Sequence, residues 1–166
     1  FSDEATLGWG KRHGWVVRVA ASKADSAGKP QHGAALAIRS HGHAMLPNQQ
    51  SWTLWPCKAI GAWIGAAIKG GFAFLSIYFD CHEGFGGDNG SMCAAWQQLL
   101  CNLRMPFIIG LDANMSPQAL VESGWPSACN ATVFASLEPT SWQSAEGSTI
   151  DMFMVSDACS EAMMRP

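Results

Sequence analysis

Asp112 and Asn114 stand two apart at the end of a short apolar run, Pro106-Phe107-Ile108-Ile109-Gly110-Leu111. Such an unbroken run reads as a strand buried on both faces. In an extended chain, residues two apart project from the same face. A carboxylate and a side-chain amide would then sit side by side, held between a core strand and a helix start. Ser116-Pro117 follows at once, an N-cap with proline at the first helical position, and Gly124 closes that short helix. Open α/β sheets place their ligands at the carboxyl ends of strands. The other reading is an Asp and an Asn that end a strand as turn residues. Asp151 poses a second question, because it lies inside the apolar segment 150–155, where an unpaired carboxylate is costly. Either a histidine or backbone amides hydrogen-bond it, or it faces a site; a structural Asp capping a turn is the alternative.

The elements that must position these residues alternate along the chain. Ser2-Asp3-Glu4 caps a short helix that ends in Lys11-Arg12-His13-Gly14, with acids at its start and bases at its end. Strands are expected over 15–21 and 32–39, with a loop at 22–31 and no clear period over 40–56. Two apolar runs between Ala59 and Phe79, broken by Lys69-Gly70-Gly71, give a hairpin signal. The loop 81–90 then leads to a helix over 91–103, with Met92, Ala95, Trp96, Leu99, Leu100 and Leu103 on one face. Strands over 132–135 and 148–156 flank the loop 138–142. Helices and strands alternating in this way give an α/β or α+β class.

At 166 residues the chain amounts to one domain. It is 48% hydrophobic and only 14% charged, which excludes a disordered segment. No run is long enough to cross a bilayer and no N-terminal pattern resembles a signal peptide, so an intracellular protein, nuclear or cytoplasmic, is expected. The six cysteines show no CxxC pairing and no histidines at zinc spacing, so they read as free thiols in a reducing compartment. His41-Gly42-His43 could hold a metal by letter alone, and is equally a solvated loop pair. Residues 1–69 carry eight Lys and Arg against three Asp and Glu, a net +5; residues 70–166 carry two against ten, a net −8. That asymmetry suits a polyanion meeting a cation-binding site, or two solvated faces without function.

Several segments together resemble the endonuclease/exonuclease/phosphatase superfamily of metal-dependent phosphodiesterases. Asp112-Ala113-Asn114 resembles its Gly-Asp-Phe-Asn signature, and Ser148-Thr149-Ile150-Asp151-Met152 its Ser-x-Ile-Asp-Tyr strand. Ser76-Ile77-Tyr78 resembles the strand carrying an active-site tyrosine, 32–39 the Gly-Gly-Val-Ala-Ile-Leu-Val-Arg strand, and Pro139-Thr140-Ser141-Trp142 the Thr-x-Trp loop. The five occur in the family's order, and the retroelement-type branch is the most similar. The resemblance implies an α/β (α+β) fold: a two-sheet β-sandwich flanked by helices, four-layered and DNase I-like. It implies a Mg²⁺-dependent phosphodiester hydrolase, with Mn²⁺ able to replace Mg²⁺, acting on nucleic acid and on DNA rather than RNA, with no membrane partner. Asp112 would orient or deprotonate the attacking water, Asn114 would hold a phosphate oxygen, and these two would be the metal ligands. Asp151 would orient a catalytic histidine and Tyr78 would donate to the phosphate.

The departures shape the expectation. The family's first strand with its Asn, the Gln-Glu motif that supplies the main metal ligand, and the closing Ser-Asp-His motif have no counterpart in these 166 residues. Glu4 sits where first-turn dipole pairing explains it. None of His13, His32, His41, His43 and His82 stands where the catalytic histidine should. Leu111 and Ala113 replace Gly and Phe of the signature. The expectation is therefore a single partial domain over 1–166, incomplete at both ends and inactive or weak alone. The alternatives are a non-catalytic remnant or binding module of the same fold, and a phosphatase or phosphodiesterase of small or lipid phosphates. Substrate preference and oligomeric state are not legible.

Overall fold

A computed structural model describes residues 3–24, 26–28, 30–31, 33–39, 51–65, 69–81, 83–142 and 145–163. Ser2, His32, His41, His43 and His82 lie outside them. The chain divides into two units, 1–76 and 77–166. The border falls inside a strand and not in a linker.

In the first unit, helix α1 (Asp3–Arg12) has the two basic residues in its last turn, and Gly14 stops it at φ 71°. Gly10 is buried on α1, and a Cβ there would clash with the Val17 side chain. Strands β1 (Trp15–Ala20) and β4 (Ala34–Arg39) pair antiparallel, from Trp15 opposite Arg39 to Ala20 opposite Ala34. The Arg39 guanidinium lies 4.6 Å over the Trp15 ring. Between them, β2 (Lys23–Ala24) and β3 (Pro30–Gln31) form a two-residue ribbon inside the expected loop. Strand β5 (Ser51–Trp55), in the region that showed no period, pairs antiparallel with β6 (Ala59–Ile64). The expected turn at 69–71 joins β6 to β7 (Phe72–Tyr78). Gly71 is obligatory there, since its φ is +76° and a Cβ would meet the Ile64 carbonyl at 2.5 Å. Small and branched residues, Ala20, Ala34, Leu36, Ile60, Ala62 and Ile64, make this unit's core.

The second unit takes up the end of β7 and continues as α2 (Gly87–Leu103), β8 (Phe107–Asp112), α3 (Pro117–Glu122), α4 (Trp125–Ala128), β9 (Ala131–Ala135), β10 (Asp151–Ser156) and α5 (Asp157–Met163). Strand β10 lies between β8 and β9, antiparallel to both. The expectation that β8 is buried on both faces is corrected. Phe107, Ile109 and Leu111 are buried while Ile108, Gly110 and Asp112 are half-buried, the alternation of an antiparallel strand with one covered face. Helix α2 begins four residues earlier than its apolar period suggests. Met92, Trp96 and Leu100 are buried as expected, but Cys93 joins them while Ala95, Leu99 and Leu103 stay half-buried.

The class is the expected mixed α/β, with two main sheets flanked by helices. All six cysteines are free. No described helix is long and apolar enough to cross a membrane. Trp96 is fully buried, so Trp96→Ala should lower stability by about 3–5 kcal/mol in urea unfolding. Phe153→Ala, at a side chain 51% exposed, should cost well under half of that.

Candidate active site

Strand β8 ends at Asp112 because the chain turns there. The Asn114 backbone N–H bonds back to the Asp112 carboxylate, and Asn114 itself sits at φ 46°, the left-handed region that Asn tolerates. A turn, and not the same-face spacing of an extended chain, therefore sets where the two residues stand. Two further bonds fix the place: Phe79 N–H donates to the Asp112 carbonyl at 2.8 Å, and Asn114 Nδ2 donates to the Phe79 carbonyl at 2.7 Å. The end of β7, carrying Tyr78, is thus tied to the end of β8. After the turn, the Ser116 side chain accepts from Ala119 N–H, Pro117 opens α3, and Gly124 follows it at φ 76°, as expected from the sequence.

Asp151 stands directly opposite Asp112 in the β10–β8 ladder. It is the first residue of β10 and is exposed, so it stands at the start of the apolar strand and not inside it as the sequence suggested. Its backbone is held by the loop before it: Thr140 Oγ1 accepts from both Ile150 N–H and Asp151 N–H at 3.0 Å. Asp112 Oδ1 is buried and no hydrogen bond reaches it. Burial, foremost, and the Asp151 charge raise the Asp112 pKa above its ordinary 3.8, while the Asn114 N–H pulls it partly back. Tyr78 is pushed up to about 12 by burial first, then by its contact with Cys81 and by the Cys81, Asp112 and Asp80 charges. Its hydroxyl lies 3.8 Å from Cys81 Sγ. Such a phenol stays protonated at neutral pH and can donate to an anionic oxygen.

The sequence reading missed Asp80 and Asn89. Asp80 stands two residues past Tyr78, the spacing that drew attention to Asp112 and Asn114. Asn89 is fully buried at the start of α2. Its Oδ1 accepts from Asp80 N–H at 2.9 Å, and its Nδ2 donates to the Asp80 and Gly84 carbonyls at 3.1 and 2.9 Å. One side chain therefore ties the loop after Tyr78 to the helix and explains the early start of α2. A lone Asn beside four glycines gives no sequence signal of this.

Among the described residues, no three His, Cys, Asp or Glu side chains gather into a metal-holding group. A more modest site fits the geometry. Mg²⁺ is commonly held by one or two carboxylates and keeps several waters, and Asp112 Oδ1 is a buried oxygen that no donor satisfies.

Asn89→Ala removes three hydrogen bonds to buried or half-buried groups, and should cost about 1–3 kcal/mol or more in chemical unfolding. Asp112 binds its proton more tightly folded than unfolded, so its ionisation opposes folding. That opposition is absent below the ordinary 3.8 and grows as pH rises through the raised folded value. Asp112→Asn should accordingly stabilise the protein against urea at pH 7, and the gain should vanish near pH 3.

No protein-family model matches the chain, and no curated protein sequence matches it. Solved structures do. The catalytic domain of human Nocturnin, determined with a bound sulfate anion, superposes with a TM-score of 0.66 at 17% identity, over 93% of this chain and 65% of that one. The Neisseria 3′ phosphatase NExo, bound to a product DNA hairpin, gives 0.59 at 14% identity, over 95% and 73%. The endonuclease domain of TRAS1, a telomere-specific non-LTR retrotransposon, gives 0.53 at 15% identity, over 87% and 69%. The chain thus spans about two thirds of the Nocturnin domain. Its architecture is the one its motifs pointed to: the chain shares the DNase I-like fold of these three structures.

Proposed function

We propose that the ends of β7, β8 and β10 form part of the active site of a divalent-metal-dependent phosphodiester hydrolase acting on nucleic acid, DNA before RNA. The observation that carries this is the buried, unsatisfied Asp112 oxygen, set opposite Asp151 and beside a neutral Tyr78. NExo, solved with a product DNA hairpin, and the endonuclease domain of TRAS1 support nucleic acid as the substrate class.

In this reading each group has a task set by its surroundings. Asp112, made more basic by burial, takes or orients the proton of the attacking water. Tyr78 donates to a non-bridging phosphate oxygen as charge grows there. Asn114 gives one amide hydrogen to Phe79 and keeps the other for the phosphate. Asp151, exposed at the rim, orients a cationic partner. Asp112 and Asn114 would hold a Mg²⁺ or Mn²⁺ ion, which supplies charge neutralisation at the phosphoryl group. Among the described residues no three His, Cys, Asp or Glu side chains gather here and this unit has no histidine, so the chain alone is expected to turn over slowly.

The test is nicking of supercoiled plasmid in Mg²⁺, with EDTA controls. Metal-dependent nicking should fall about 10²-fold or more in Asp112→Ala. Nicking unchanged by EDTA or by Asp112→Ala would sink the hydrolase reading. A folded chain that binds DNA without cutting it would instead be a non-catalytic module.

A further inference from the structure

We infer that the row His13, Trp9, Trp15 and Arg39 on the first unit is a binding surface for single-stranded nucleic acid, with a base stacked at Trp9 and phosphates set against the neighbouring basic side chains. The inference rests on the nucleic-acid reading above but not on catalysis. Trp9 lies on α1 and is 44% exposed. Its ring stacks with that of His13, one turn later, at a centroid distance of 4.9 Å and 24° from parallel. It stacks more loosely with Trp15, at the start of β1, at 6.3 Å and 28°. Arg39, opposite Trp15 in the β1–β4 ladder, extends the row by laying its guanidinium 4.6 Å over the Trp15 ring. The His13 ring is fixed in turn, because its Nδ1–H donates to the Trp9 carbonyl at 2.8 Å. Trp9, His13 and Arg39 are all exposed, so the row is not part of a core.

Space and charge decide what the row can meet. Trp9 borders an open cavity of about 520 Å³ together with Ala5, Thr6 and Arg12. That volume falls among those of small-molecule pockets, about 300–1,000 Å³, and accepts a single base. Arg12 folds back along α1 over Gly8, where a Cβ would stand 3.3 Å from Arg12 Nη1. A cation is thus held one turn from the indole. Residues 5–24 carry Lys11, Arg12, Arg18 and Lys23 and no Asp or Glu, and Arg39 adds a further positive charge. Such a surface draws a polyanion. The partner must bring anionic charge and a flat apolar face together, and a nucleic acid strand has both. Within a duplex each base is covered on both faces by its neighbours, so the ligand is an unpaired strand. The row is assembled before any ligand arrives, and stacking on it orders few further side chains. An acidic protein segment, which supplies the charge without the flat face, is the competing occupant.

Fluorescence anisotropy of a labelled phosphorothioate single strand, which resists cutting, measures Kd for the full chain in Mg²⁺ at low salt. Trp9→Ala should weaken Kd about 5- to 150-fold, while Trp9→Phe should recover most of the affinity. Arg12→Gln should make the slope of log K against log salt shallower by about 0.7, the share of one phosphate contact on a single strand. Binding of a blunt duplex of equal length should not depend on Trp9. Should Trp9→Ala fail to fold, a strand carrying 5-iodouracil reads the contact in the wild type, and the photo-crosslinked peptide should contain Trp9. If Trp9→Ala is folded and binds the strand as tightly as the wild type, or the crosslink falls elsewhere, the inference is overturned while the nucleic-acid reading stands. An equal loss on the duplex overturns the restriction to unpaired bases. Polyglutamate that binds as tightly as the strand, with the same loss in Trp9→Ala, makes the occupant an acidic protein segment and overturns the assignment. A wild-type chain that binds neither oligonucleotide overturns both readings.

Discussion

Two carboxylates face each other across a β-ladder, and much of the second unit's local structure answers to that pairing. Like charges directly opposite on neighbouring strands repel, and one of these, Asp112, has an oxygen sealed from both water and donors. The fold tolerates the pair by placing Asp151 at the strand's first residue, where water screens it. It also turns the chain at Asn114, so that a backbone N–H partly compensates Asp112. Neither device removes the cost. A sequence selected for stability alone would carry an amide at 112. In the proposed function, a positive charge at this place, from a metal ion or a cationic side chain, would offset that cost.

Three devices surround that pair and keep it in register. The Asn114 amide binds the end of β7 to the end of β8. The Thr140 hydroxyl takes two successive amides at the start of β10. The Asn89 side chain anchors the loop that follows Tyr78. Each is a neutral group bonded to main chain, which positions charged or titrating side chains without adding charge of its own. Net charge in this part of the chain is already strongly negative, so positioning by further carboxylates would have worsened the repulsion.

What the sequence disclosed follows from how local each signal is. The cap, proline and glycine around α3 are short-range chemistry, and they stand where their letters put them. The strand motifs were found because order and spacing survive without tertiary knowledge. The strand β5 was missed because its tryptophans share no period with their neighbours. Helix α4 was missed because Gly124 reads as a stop, while the structure uses it both to end α3 and to precede α4. The apolar run at β8 hid an alternation, because Ile108 and Gly110 look like core residues yet stay half-buried. At the site, Asp112, Asn114, Asp151 and Tyr78 were visible as letters. The turn joining the first two is held by a contact 35 residues distant, and the burial that raises the Asp112 and Tyr78 pKa values is tertiary too.

The clamp at Asn89 also bears on how this protein opens. A stretch such as Gly84-Phe85-Gly86-Gly87 is ordinarily where a chain breathes and where proteases enter. Here the Gly84 carbonyl and both polar groups of the Asp80 backbone are bonded to a residue within α2. The segment cannot part from the helix without exposing a fully buried amide. Its opening belongs to the same cooperative step as the fraying of the helix's first turn, so its amide hydrogens exchange on the helix's timescale and not on a loop's.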